Sequence, residues 1–204
     1  MSIYEKYILP RVTHKVCGLK PMMRQREKVI PEAVGKVLEI GIGSGLNLRY
    51  YDPTKVQYII GVDPTPHKQA LKNSFESIKI DHELILASAE HLPMEDNSID
   101  TVVSTYAFCT IPDLTTTLSE CRRVLKDEGT LIFIEHGASP DPRIRKTQDR
   151  VNPIWKKIAG GCHLNRDIPN ILKETGFLVR NLEAMYLPGW KAATWNVWGS
   201  ASIR

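Results

Sequence analysis

Residues 36–45 read Lys-Val-Leu-Glu-Ile-Gly-Ile-Gly-Ser-Gly. Val37, Leu38 and Ile40 are the short apolar run expected of a buried strand. Gly41, Gly43 and Gly45 follow at alternate positions, and a strand does not continue through them. The chain turns tightly and brings bare backbone close to something. Leu46, Asn47, Leu48, Tyr50 and Tyr51 then predict the start of a helix. Strand, glycine turn and helix open a doubly wound α/β domain, whose ligands sit at that turn. A dinucleotide fingerprint, G-x-G-x-x-G, needs glycine at the position of Leu46. The pattern is instead G-x-G-x-G, with Glu39 two residues ahead of it. A carboxylate there repels a pyrophosphate and suits a ligand bearing an ammonium or sulfonium group.

Further along, 56–62 predicts a second strand ending on Asp63. An acid about twenty residues after the glycine turn can accept hydrogen bonds from both ribose hydroxyls; the alternative is a helix N-cap before Pro64. Pro64 to His67 is a stiff turn placed to flank an adenosine. A third strand is expected over 84–87, followed by Ser88, Ala89 and Glu90. A fourth, 99–104, exits into Thr105 and Tyr106. Periodic apolar residues over 114–125 predict a helix. A fifth strand, 130–134, ends on Glu135 and His136.

In that order these stretches resemble the class I methyltransferases that use S-adenosylmethionine. The likeness rests on the acid and glycines of 37–45, on Ala89, Glu90, Leu92 and Pro93 with Asp96, Ser98, Ile99 and Asp100 behind them, and on Arg123-Val124-Leu125-Lys126. Asp127 and Glu128 stand where the family has Pro and Gly, so that turn must be made differently. The resemblance implies a Rossmann-like, mostly parallel seven-stranded sheet with the last strand antiparallel. It implies a single domain over 1–204: a helical arm (1–34), a cofactor-binding core (35–138), a substrate-side insert (139–167), and a C-terminal helix and strands (168–204). It implies S-adenosyl-L-methionine as cofactor, bound by Glu39, Gly41, Gly43, Gly45, Asn47, Asp63, Pro64, Ser88, Ala89, Glu90, Ser104 and Tyr106. Tyr106 fits equally well as a core aromatic. The end of strand four carries neither Asn/Asp-Pro-Pro-Tyr/Phe nor Pro-Cys, which argues against nucleobases as acceptors.

A net charge of +4 is too small to imply nucleic acid by itself and fits an acidic substrate or an anionic membrane surface. No aromatic stacking pattern accompanies the basic residues, and no nucleic-acid partner is expected. Cys17, Cys109, Cys121 and Cys162 form no C-x-x-C pair, so free thiols in a reducing cytoplasm are expected. No leader and no apolar run long enough to span a bilayer is legible. The histidines and cysteines show no spaced ligand set, so the reading expects no metal and no structural zinc.

The arm reads as short helices. Tyr4, Tyr7, Ile8 and Val12 lie at helical spacing with a break at Pro10, a second piece covers 14–19, and a third covers 22–30. Packing and a lid over substrate are the two roles open to it, its basic residues reading as a solvated face. The insert is basic and irregular at first, then offers Val151, Ile154, Trp155 and Ile158 as an apolar helix face. Asn165 or Asp167 is placed to cap a helix over 168–175, and strands are expected over 177–185 and 194–202.

A narrower resemblance covers 104–110, Glu135-His136 and 161–166. These are similar to stretches of mammalian methyltransferase-like proteins that methylate alkyl thiols. The implied activity is methyl transfer to a small-molecule acceptor, possibly a thiol. The alternatives are N-methylation of a phospholipid headgroup, with peripheral membrane contact, and cofactor-dependent regulation without turnover. His136, His163 and Glu135 are the candidate bases for a thiol proton.

Overall fold

In the computed structural model, which describes residues 8–203, the run before the glycines becomes β1 (Gly35–Ile40). The other strands are β2 (Val56–Val62), β3 (Asp81–Ile85), β4 (Ile99–Thr105), β5 (Leu125–His136), β6 (Phe177–Tyr186) and β7 (Trp195–Ile203). They form one sheet in the order β3-β2-β1-β4-β5-β7-β6. β7 runs antiparallel to both of its neighbours, and the β1, β2, β3, β4 and β5 pairings are parallel. The strand order reverses beside β1, which is where a doubly wound sheet opens a crevice for its ligand.

Alternation of side chains divides the apolar interior into two layers. Leu38, Ile40, Val102 and Phe133 pack with Leu118 of α4 (Leu114–Val124) and Leu172 of α6 (Ile168–Glu174) on one face. Val37, Ile59, Val103 and Ile132 pack with Val29 of α2 (Lys20–Val29) and Leu71 of α3 (Lys68–Glu76) on the other. Asp113 caps α4 and Asp167 caps α6, each accepting a backbone N–H three residues on.

Several elements differ from the sequence expectation. Among the described residues the arm is two α-helices, α1 (Leu9–Cys17) and α2, not three. Pro10 and Pro21 each lie in a first helical turn, where proline's missing N–H costs nothing, so neither breaks a helix. Tyr4 and Tyr7 lie outside the described residues. After Gly45 there is a single 3-10 turn, Leu48–Tyr50, in place of an α-helix; Pro53 disfavours helix at the residue before it. β3 begins three residues earlier than expected and ends earlier too. It is an edge strand with largely exposed side chains, so no apolar run marks it. β5 starts at Leu125, because the Asp127-Glu128-Gly129 turn is absorbed as an irregularity between its pairings with Ile99 and Thr101.

The insert is helical almost from its start as α5 (Pro142–Ile158), since Asp141 accepts from the Arg143 and Ile144 N–H groups and Pro142 opens the first turn. Its apolar residues do not form the inward face: Ile154 and Ile158 are exposed, and the buried positions are Gln148 and Asn152. Gln148 accepts from Ser139 N–H and donates to the Gly137 and Ala192 carbonyls, and Asn152 accepts from Leu164 N–H. Polar pegs, not an apolar stripe, therefore hold α5 to the end of the sheet. A short α7 (Lys191–Thr194) precedes β7.

Candidate active site

Gly41, Gly43 and Gly45 all have φ in the left-handed region, at 67°, 56° and 74°. A Cβ on Gly41 would meet the Ala107 side chain at 2.6 Å, so only glycine lets β1 turn under the loop after β4. Above Gly43 the space is open apart from a backbone oxygen at 3.7 Å. Asp63 fixes the turn from the next strand: its carboxylate accepts from Gly43 N–H at 2.9 Å and from Thr65 N–H at 2.7 Å. It is not a helix cap; α3 is capped by the His67 ring, which accepts from Ala70 N–H. Burial pushes the Asp63 carboxyl up against those two hydrogen bonds, and both oxygens keep lone pairs free to accept again. Pro64 follows on the exposed side of this turn.

Glu39 is 2% exposed. It accepts from Asn47 Nδ2 at 2.9 Å and from the Tyr51 hydroxyl at 2.7 Å. Burial raises its carboxyl to about 7 despite those donors and the nearby Arg26 charge. Asn47 also donates to Thr105 Oγ1, which ties the glycine turn to the end of β4, and its own buried Oδ1 has no hydrogen-bond partner. Ser88 donates to Glu90, whose other oxygen accepts from Asp113 N–H; the loop after β3 is thereby strapped to α4, with Ala89 buried between.

Ser104 and Tyr106 sit differently from Thr105. Ser104 donates to Glu135 at 2.9 Å, and the Tyr106 hydroxyl donates to Asn196 at 2.7 Å. Tyr106 has φ of 56° and lies under the Arg26 guanidinium, 5.1 Å from its ring centroid. Arg26 is 3% exposed, and its Nε and Nη1 have no hydrogen-bond partner. Its charge acts on Glu39, Tyr51 and Tyr106, so α2 delivers a buried, unsatisfied cation over the crevice. Arg26 thus departs from the solvated face expected for the arm's basic residues. The available signal was spacing: Arg26 falls three and four residues before Val29 and Ile30, on the apolar face of α2.

These orphaned groups test the fit of a cofactor. A buried guanidinium without an acceptor suits a carboxylate. A buried amide oxygen beside a carboxylate suits an ammonium, and Asp63 at a strand end suits a diol. S-adenosylmethionine carries all three. Arg26, Asn47 with Glu39, and Asp63 are the residues that would hold them.

Two of the three candidate bases, Glu135 and His136, end β5, and His163 lies in the loop between α5 and α6. Glu135 is fully buried and saturated: it accepts from Ser104 and from the Ala107, Phe108 and Cys109 N–H groups. Its work is to hold the loop after β4, aided by Arg166, which donates to the Phe108, Ile111 and Pro112 carbonyls. His136 is buried, with Nε2 3.4 Å from Cys162 Sγ. Cys162 Sγ lies 3.5 Å from Cys109 Sγ. The Cys109 thiol and, behind it, the His136 imidazole hold the Cys162 thiol well below its ordinary range; Cys109 is pushed up by the same contact and by burial. Burial is the largest single influence on His136 and disfavours its cation, but the Cys162 charge, its hydrogen bond and the Glu135 charge together outweigh it and raise the imidazole. His163 is only partly buried, and burial with the Arg166 and Lys156 charges lowers its basicity. Dispersed in sequence, Cys109, His136 and Cys162 are the one group of three potential metal ligands among the described residues.

Residues 38–133 match a family model described as a methyltransferase domain. Over 177 residues the chain is 32% identical to the thiol S-methyltransferase TMT1B of Homo sapiens, covering 83% of this chain and 72% of that protein. The Rattus norvegicus TMT1B is 33% identical over 150 residues; the match covers 72% of this chain and spans 62% of the rat protein's length. The crystal structure of YcgJ from Bacillus subtilis superposes with a TM-score of 0.67 at 17% identity, covering 90% of this chain and 98% of that one. That structural likeness carries the fold.

Proposed function

The chain belongs to the class I S-adenosylmethionine-dependent methyltransferases, and on that footing we propose that its acceptor is a small thiol. The cofactor is S-adenosylmethionine; when bound it supplies an electrophilic methyl group on a sulfonium. The observation that carries the thiol reading is the likeness to the human thiol S-methyltransferase over most of this chain. The loop after β4, clamped by Glu135 and Arg166, forms one wall of the acceptor position, and the catalytic gain comes chiefly from placing a thiolate in line and excluding water. The acceptor proton must leave first, because the thiolate is the nucleophile. Glu135 has no capacity to take it, and the His136 Nε2 is turned to Cys162. His163 is the remaining imidazole.

A methyl-transfer panel with isotope-labelled cofactor tests the reading. Alkyl and aryl thiols should be methylated with kcat/KM at least about a hundredfold above matched amines or alcohols. Preferential methylation of phosphatidylethanolamine vesicles would replace it with headgroup chemistry, and cofactor-induced heat stabilisation without any product would replace it with a regulatory role.

A lipid surface is the partner we propose for the arm. Ile8, Val12 and Val16 are exposed at helical spacing at the start of and along α1, Leu19 is exposed in the link to α2, and Arg11, Lys15 and Lys20 lie among them. α1 starts against the end of α5, where a Cβ on Gly160 would meet Leu9, and there Ile154 and Ile158 add exposed apolar surface. An apolar stripe among cations suits the interface of an anionic bilayer. No helix among the described residues is long and apolar enough to cross a membrane. Co-flotation with phosphatidylserine vesicles, lost on V12E/V16E, would support the contact; equal flotation of both proteins would remove it.

A further inference from the structure

We propose that Cys109, His136 and Cys162 are the three protein ligands of a zinc ion whose fourth position takes the acceptor thiol. The first half stands on geometry alone; the second rests on the thiol reading above. With Zn–S of about 2.3 Å and Zn–N of about 2.0–2.1 Å, a tetrahedral centre has edges of roughly 3.8 Å between two sulfurs and roughly 3.6 Å between sulfur and nitrogen. The observed edges are 3.5 Å for Cys109 Sγ to Cys162 Sγ and 3.4 Å for Cys162 Sγ to His136 Nε2. All three ligand atoms lie within 4.8 Å of one another. The two edges that meet at Cys162 need to open by only about 0.2–0.3 Å.

The ligands come from three separate segments that the fold locks together. Cys109 is held through its N–H by Glu135 and through its carbonyl by His163 N–H at 2.8 Å. That second bond joins the Cys162 loop to the Cys109 loop at the backbone. Gly161, with φ of 88°, makes the turn into Cys162, and a Cβ there would come within 3.4 Å of the Thr110 carbonyl. His136 is the last residue of β5. Each ligand also falls within one of the three stretches on which the narrower sequence resemblance rests. The buried Trp155 indole N–H finds no partner at ordinary hydrogen-bond geometry but faces the Cys162 sulfur closely enough to favour its thiolate.

Two thiolates and one neutral imidazole select a borderline-soft divalent ion and leave one position open, the arrangement of a catalytic zinc site rather than a structural one. Two thiolates and Zn²⁺ sum to zero, which suits a buried location. An incoming thiol that loses its proton to solvent on binding makes the centre an anion facing the cofactor's cation. Transfer then forms one carbon–sulfur bond on the acceptor and breaks the methyl–sulfonium bond. The broken bond's electron pair stays on the cofactor sulfur, which leaves neutral S-adenosylhomocysteine and a thioether. Free thiols are only a few per cent ionised at neutral pH, so a metal that makes the thiolate at pH 7 does the work of a general base.

The experiment uses untagged full-length protein purified without chelators and under argon. Plasma mass spectrometry should find about one zinc per chain. Cobalt(II) exchange should give intense thiolate-to-metal charge-transfer bands. Cys109→Ser, Cys162→Ser and His136→Ala should each lower the zinc content at least tenfold, with circular dichroism and cofactor affinity retained. Cys121→Ala should keep the zinc. Adding an alkyl thiol should shift the cobalt spectrum, and removing zinc with dipicolinate should lower thiol kcat/KM at least about tenfold, restored by zinc. A chain that takes up no zinc from equimolar metal, or that carries a Cys109–Cys162 disulfide instead, overturns the site. Full thiol methylation by zinc-free protein overturns the acceptor role while the proposed function stands. Zinc binding in a protein that methylates amines and no thiol defeats the proposed function and the acceptor role, leaving the metal site.

Discussion

Glu39 ties cofactor affinity to protons. Its carboxyl is buried and raised from 4.5 to about 7, the cost of burial outweighing the Tyr51 and Asn47 donors. In the unliganded protein that shift favours the neutral form. Its contribution to stability is therefore present in full below the unfolded value and lost as pH rises through about 7, roughly 3 kcal/mol in all. A cationic ligand beside Glu39 needs the ionised form. At about pH 5.5 only about 3% of a group with that pKa is ionised, so cofactor affinity should be about thirtyfold weaker than at about pH 8.5. Close to one proton should be released on binding near the lower pH. Calorimetric titration in two buffers of different ionisation enthalpy measures both quantities. Glu39→Gln is the decisive variant: its Oε1 accepts from Asn47 and its Nε2 donates to the Tyr51 oxygen, so packing survives. It should flatten the pH dependence and weaken binding above pH 8. It should also stabilise the unliganded protein there by up to roughly 3 kcal/mol. A wild-type affinity that is constant from pH 5.5 to 8.5, or the same slope in the variant, would refute the reasoning.

Arg26→Met should weaken cofactor binding at least about tenfold while leaving the melting temperature of the unliganded protein unchanged or higher, because a buried guanidinium with orphaned donors costs stability until an acceptor arrives; an unchanged Kd would remove it from the site. Glu135→Gln puts an amide donor against backbone donors, and the loss of about 2–4 kcal/mol should lower the melting temperature by about 5–10 °C. A variant that melts with the wild type would show that the Glu135 clamp contributes nothing. Asp63→Asn retains one acceptor for two backbone N–H groups and should weaken cofactor binding about tenfold, read by fluorescence titration; S-adenosylmethionine and its 2′-deoxyribose analogue should then bind the variant alike.

The glycine turn and the two acids of the candidate cofactor site were legible because their placement is local. Glu39, the three glycines and Asp63 sit at strand ends whose spacing the chain itself displays, and β2 is bounded as its apolar run predicts. The helix expected after Gly45 does not form, since Asp52-Pro53 overrules a promising apolar pattern. β3 was displaced because an edge strand of charged residues carries no periodic signal. The inward face of α5 escaped because Gln148 and Asn152 are buried for their hydrogen bonds, not their hydrophobicity. Arg26 was open to a reading of its helical spacing from Val29 and Ile30, whereas the meeting of Cys109, His136 and Cys162 depends on contacts between segments far apart in sequence, which no spacing rule sees.

The sheet order has a consequence for how the chain assembles. β7 lies between β5 and β6, yet it is the last of these strands to leave the ribosome. Until it does, β6 has no strand to lie beside and β5 presents a bare apolar flank. A nascent chain stalled before residue 195 would thus hold a finished nucleotide half and an unfinished margin. Closure of that margin therefore waits on the one strand that inserts between two already made.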